Sequence, residues 1–365
     1  MTGLARAGVL AVAVLAASAA SASDSWSKGL ARRGVDPGLV ANPIEVTPEI
    51  RAAADALSGG PAGTVDQLRR IQEALFDASR FTFDYDAKLT YTAAEALAAR
   101  RGNCVAFTNL FIAMARARGF RVRAGFVTPR AVGEKRGDLI YVAAHVVAVY
   151  PLHDRAIVFD FYRTREDETP RIRLLDDFEL AALYVNNRAV EALGAGDFAT
   201  AERQLDAAVA LAPGFAGAHG NLGVLRRRRG NIEGAFDAYR RALALEPRSP
   251  VILGNLAALY LGLGMEREAK DALALADLRR ATPYTILARG DLEAADGRFD
   301  DARRRYRRAA RIAPNIPEPY VALARLAQRT GRPDEARRAA ERAVRVDPTN
   351  ADAKAILATL AAPSL

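Results

Sequence analysis

Glycine followed five residues later by alanine recurs down the second half of the chain, at Gly196/Ala201, Gly230/Ala235, Gly264/Ala269, Gly297/Ala302 and Gly331/Ala336. The glycines stand 34, 34, 33 and 34 residues apart, and a second alanine follows each first one after seven residues, at Ala208, Ala242, Ala276, Ala309 and Ala343. Proline closes four units, at Pro213, Pro247, Pro314 and Pro348; the third has Ala281 there, with Pro283 just beyond. A period of this length fits a helical hairpin. Glycine permits the turn, alanine lets two helices approach closely, and proline stops the second helix. One hairpin cannot bury its apolar face alone, so the units must stack into an all-α superhelix.

On these positions residues 179–348 resemble five tetratricopeptide repeats, and "NADAKAILATLA" (350–361) reads as a capping helix within a C-terminal segment 349–365. The resemblance implies a groove that takes an extended peptide or a partner helix, hence a protein partner. The runs "RRRR" (226–229) and "RRRYRR" (303–308) would suit an acidic one, although arginine on a polar helix face is also accounted for by solvation alone. His219 falls where such repeats carry a large packing residue and is expected to be structural.

The other end of the chain reads "MTGLARAGVLAVAVLAASAASAS". Arg6 precedes a short apolar run, and Ala20-Ser21-Ala22 offers an A-x-A cleavage site. Residues 1–22 are therefore expected to be a secretory signal peptide, with cleavage near Ala22 leaving an exported protein in the periplasm or the medium. No apolar stretch is long enough for a membrane span. The net charge of +9 could attract anionic partners, but export makes nucleic acid the least suitable of them. One cysteine and three histidines give no zinc spacing, and neither a phosphate loop nor a dinucleotide fingerprint occurs, so no cofactor or metal is expected.

Residues 23–178, between leader and repeats, lack the 34-residue period. "TVDQLRRIQEALFDASRF" (64–81) has helical spacing, with Leu68, Ile71, Leu75 and Phe76 on one side. Thr92 and Glu95 form a capping-box pattern that opens a short helix ending at Gly102. A mostly apolar helix over 103–119 follows, then strand candidates at 120–127, 139–150 and 155–162. A helical front followed by strands reads as α+β.

Cys104 is the chain's one cysteine, so no internal disulfide can form, and an exported chain is left with a reactive thiol or an intermolecular bridge. It directly follows Asn103, a good N-cap residue, which puts the sulfur in the first turn of a helix. The positive end of the helix favours thiolate there. His145 and Asp160 lie fifteen residues apart in successive strand candidates, and antiparallel pairing would bring them together. A thiol needs a base to ionise it, and an imidazole needs an acceptor to fix its tautomer. His153, in "PLHDR", is expected to be exposed in the turn between those strands.

Gly-x-Cys opening an apolar helix that ends "ARARGF", then a strand histidine, then a strand aspartate, resembles the transglutaminase-like, papain-type cysteine superfamily over about residues 92–162. The combination with repeats is similar to exported bacterial proteins of that build. The resemblance implies an α+β transglutaminase-like domain at 23–178, with Cys104 as nucleophile, His145 as general base and acid, and Asp160 as the orienting carboxylate. It also implies a protein or peptide substrate whose peptide or glutamine amide is cleaved or transferred through a thioester. Water and amine acceptors use the same triad, so both stay open. Val147 departs from the pattern, since the superfamily commonly has tryptophan two residues after the histidine. The backbone N–H of Cys104 supplies one oxyanion donor, and Tyr91 is the candidate for the second. The alternative expectation is an inactive domain that serves, with the repeats, as a protein-binding scaffold.

Overall fold

The computed structural model describes residues 24–60, 63–136, 139–153, 155–160, 171–276 and 282–361. The expected signal peptide and the position of Ala281 lie outside these residues. The chain divides into two compact units. The first takes the described residues up to Arg130 together with Ala144–Leu225; the second takes those of Arg226–Leu365 with Ala131–Ala143. The division at Leu225 and Arg226 falls inside the helix Ala216–Arg228.

The first unit opens with helices α1 (24–31), α2 (Pro48–Ser58) and α3 (Val65–Phe76). The helical spacing over 64–81 predicts a helix through residue 81. Instead it ends at Phe76, because the Asp77 carboxylate accepts from the N–H and hydroxyl of Ser79 and folds the chain into a turn. Phe76 remains 38% exposed, stacked on buried Phe107 at 5.5 Å. A short parallel pair, β1 (Asp84–Tyr85) and β2 (Arg101–Gly102), brackets α4 (Ala93–Ala99), whose capping box of Thr92 and Glu95 is formed as expected. Gly102 does not end this helix. Arg100 does, in the left-handed region at φ 52°.

Gly102 serves the next element. At φ 151° it turns the chain into α5 (Cys104–Ala117) so closely that a Cβ there would meet the Ala106 methyl at 2.5 Å. Every residue of α5 from Cys104 to Ala115 is buried, as an all-round apolar helix requires. It is the centre of the first unit's core, packed against α2, α3 and α4. A four-stranded sheet follows, in the order β5-β4-β3-β6: β3 is Arg123–Arg136, β4 Leu139–Pro151, β5 Ala156–Phe159 and β6 Arg171–Leu174. β4 and β5 are antiparallel, with Ala148 across from Phe159. β5 stops one residue before Asp160, so that residue follows the strand instead of lying inside it.

The repeats run as α6 (Asp177–Gly194), α7 (Phe198–Leu211), α8 (Ala216–Arg228), α9 (Ile232–Leu245), α10 (Pro250–Gly262), α11 (Glu266–Leu275), α12 (Pro283–Ala295), α13 (Phe299–Ile312), α14 (Glu318–Arg329) and α15 (Pro333–Val346), capped by α16 (Ala351–Ala361). The five turn glycines all have φ between 67° and 82°, where a side chain would be strained. The paired alanines are buried between hairpin helices, Ala302 and Ala309 fully so in α13. Core residues of α6 and α7, among them Leu183, Val185 and Leu211, belong to the same cluster as α5.

Candidate active site

Asn103 caps α5, its side-chain oxygen accepting from the N–H groups of Val105 and Ala106 at 3.0 and 3.1 Å. Cys104 is thereby fixed as the first helical residue, 7% exposed. One turn on, the Thr108 hydroxyl donates to the carbonyl of Val146 at 3.1 Å and fastens α5 to β4 beside His145. The β4–β5 register, continued one step, sets Asp160 opposite Val147 and diagonal to His145, within side-chain reach. From α3, Gln72 Nε2 donates to the Asp160 carbonyl at 3.1 Å and fixes the chain just past the strand end.

These supports bring the three sequence candidates together. His145 Nε2 donates to Asp160 Oδ2 at 2.8 Å, with the two side chains 13% and 14% exposed. Cys104 is hydrogen-bonded to the same imidazole. Nε2 is committed to Asp160, which leaves Nδ1 as the nitrogen for sulfur. Burial works against a charged ring here, but the hydrogen bonds to Asp160 and Cys104 and the negative charges on both outweigh it. His145 is raised from 6.5 to about 9. The imidazole is thus held as imidazolium through neutral pH, between the Asp160 carboxylate and the Cys104 sulfur.

Tyr91 is half-buried, and its carbonyl accepts from Asn109 Nδ2 at 2.9 Å. His153 is exposed in the β4–β5 turn, and His219 is buried with Nε2 3.1 Å from the Pro213 carbonyl. Among the described residues no group of three or more His, Cys, Asp or Glu could hold a metal ion. The sequence reading missed Thr108 and Gln72. A threonine inside the apolar run "CVAFTNLFIAM" was a usable signal, since a fully buried hydroxyl needs a partner. Gln72 carried none.

The model of the transglutaminase-like superfamily matches residues 51–154, and two tetratricopeptide repeat models match residues 186–250 and 293–360. The chain carries a transglutaminase-like domain followed by tetratricopeptide repeats. The first match spans Cys104 and His145 and stops short of Asp160. Tetratricopeptide repeat protein 36 of Bos taurus is 32% identical over 143 residues, covering 37% of this chain and 61% of its own length. Its Homo sapiens namesake is 30% identical over 143 residues, covering 37% and 60%. The chain therefore spans about three-fifths of these curated relatives. A solved structure of Pseudomonas aeruginosa pilF is 20% identical with a TM-score of 0.45, covering 51% of this chain and 85% of that one.

The repeats point to protein partners, and no described helix is long and apolar enough to cross a membrane. In the second unit a groove of about 520 Å³ is lined by α12, α13, α14 and the start of α16. It presents charges of both signs, Asp291, Glu318 and Asp352 beside Arg325 and Arg329.

Proposed function

We propose that the chain is an exported cysteine enzyme that opens an amide bond through a thioester, with its repeats holding the protein substrate or a protein partner. The observation that carries the reading is the 2.8 Å bond from His145 to Asp160 on an imidazole that Cys104 also bonds. His145, protonated to about 9, stands beside the sulfur as a proton donor, and the form of the sulfur that attacks is the thiolate. The sulfur attacks the amide carbonyl carbon, and charge moves to the carbonyl oxygen, stabilised by the Cys104 N–H and a second donor from the Tyr91 segment. As the carbon–nitrogen bond breaks, His145 gives its proton to the leaving nitrogen, and a thioester remains. Water or a primary amine then attacks the thioester carbonyl while His145 takes its proton. The carbon–sulfur bond breaks and the thiolate returns. Asp160 keeps the ring in the orientation that serves both transfers. Hydrolysis is the favoured second half, since water needs no binding site of its own.

Val147, at the position where tryptophan is common, favours a second reading: a domain without turnover that binds protein together with the repeats. The two separate when the full chain is incubated with a glutamine-rich protein, with and without a fluorescent primary amine. A product absent in Cys104→Ala supports the enzyme, and amine incorporation identifies transfer. Identical traces for both proteins, with no labelling of Cys104 by a peptidyl electrophile, leave the scaffold.

A further inference from the structure

We propose that Glu191, on the first repeat helix, is a positioning residue for the Cys104 end of α5, which makes that repeat a working part of the cysteine site; this rests on Cys104 being the nucleophile. Helix α6 is tied to α5 and its surroundings at two points. Near its start, Asp177 receives two bonds from Arg116 of α5, at 2.7 and 2.8 Å. Fourteen residues on, about 21 Å along the helix, Glu191 Oε1 accepts from the backbone N–H of Thr90 at 3.0 Å. Its other oxygen accepts from Arg188 at 3.0 Å.

Thr90 is 1% exposed and lies in the loop between β1 and α4. Its hydroxyl accepts from Asn103 Nδ2 at 2.7 Å. That bond fixes which way the Asn103 amide faces. With its nitrogen held by Thr90, its oxygen must point at the N–H groups of Val105 and Ala106, which is the cap that defines the first turn of α5. The Asn103 N–H in turn donates to the Leu89 carbonyl at 2.8 Å. The path therefore runs Glu191, Thr90, Asn103, first turn of α5, one covalent step from Cys104.

Without Glu191 the buried Thr90 N–H loses its acceptor, and a buried donor does not stay unpaired at small cost. The loop must shift to satisfy it, which carries the Thr90 hydroxyl away from Asn103. Tyr184, Arg188 and Glu191 share one face of α6 at i, i+4 and i+7, so the contact is a property of the folded repeat and not of a stray side chain.

The test uses the full chain and reads two quantities: the rate of Cys104 alkylation by iodoacetamide at pH 7, and amide exchange at Val105 and Ala106. Glu191→Ala is expected to slow alkylation about tenfold, the equivalent of one lost buried hydrogen bond. It is also expected to speed exchange at those two amides while the amides of α2 stay protected. Glu191→Gln, whose amide oxygen still accepts from Thr90, should recover alkylation to within about threefold. Should Glu191→Ala fail to fold, Thr90→Ala removes only the hydroxyl link and is expected to slow alkylation likewise, with Thr90→Ser restoring it. Wild-type alkylation in the link-breaking variants, or a glutamine variant as slow as the alanine one, overturns the positioning role. His145→Ala, measured alongside, tests the underlying reading by itself. If that variant alkylates like wild type, the nucleophile assignment fails and the positioning role falls with it.

Discussion

The cysteine site and the repeats of the second unit are held together by different contacts. In the site polar side chains bridge long stretches of chain, as from Thr108 to Val146, Gln72 to Asp160 and Arg116 to Asp177. In the repeats many bond within one turn of their own helix, as Arg240 does with Asp237, Arg303 with Asp300 and Arg304 with Asp301. The repeats are held by what lies beneath these pairs, the alanine-lined contact between helices. His145 and His219, both of the first unit, make the same point at one residue type. His219 meets a neutral carbonyl from Pro213, six residues before it in sequence, whereas His145 meets a carboxylate and a thiol from other elements and is raised to about 9. A site of this kind is built by non-local bonds, and damage to it should be disproportionate to the size of the change.

The largest effect expected from that contrast is at Asp160. Asp160→Asn removes the anion that, together with Cys104, offsets burial of the ring, and a charge-assisted bond is worth about 1.5–3 kcal/mol, so Cys104-dependent turnover at pH 7 should fall about tenfold to a hundredfold. The same variant carries a pH signature. A folded value of about 9 lies above the unfolded 6.5, so the stability His145 contributes is complete below about pH 6.5 and is lost as pH rises through about 9. Urea unfolding should show wild type ahead of Asp160→Asn by most at pH 6.5, with the gap closing towards alkaline pH. In the repeats the damaging change is apolar. Ala302→Leu overpacks the α13 contact and should destabilise the second unit by about 1–3 kcal/mol, with Cys104 alkylation kept at the wild-type rate. Thr108→Val keeps the shape of α5 and deletes one bond to β4; turnover should drop by the equivalent of about 0.5–1.5 kcal/mol, read as a fall in kcat. Smallest of all, Arg304→Ala breaks an exposed ion pair and should cost less than about 0.5 kcal/mol in the same urea titration. A large loss there, or none at Asp160, would erase the contrast.

The contrast also explains what could be read from sequence. The repeats were legible because each unit restates the same local rule, Gly at the turn and Ala at the contact. The Asn103 cap and the Thr92–Glu95 capping box were legible because their partners lie within three residues. The end of α3 was misplaced because the Asp77–Ser79 turn competed with the helical period and won. Arg100, rather than Gly102, took the left-handed position because the glycine was needed for the close entry into α5. Order along the chain suggested the Cys104, His145 and Asp160 set. Gln72, 88 residues from its partner, and Glu191, 101 residues from Thr90, left no trace in any local pattern.

The most direct measurement is an NMR titration of the imidazole signals, which a chain with three histidines keeps simple to assign by substitution. The account predicts that the His145 signal titrates at about 9 and falls towards 6.5 in Asp160→Asn. A His145 midpoint near 6.5 in the wild-type protein, unmoved by that substitution, would mean that the three side chains do not act as one site.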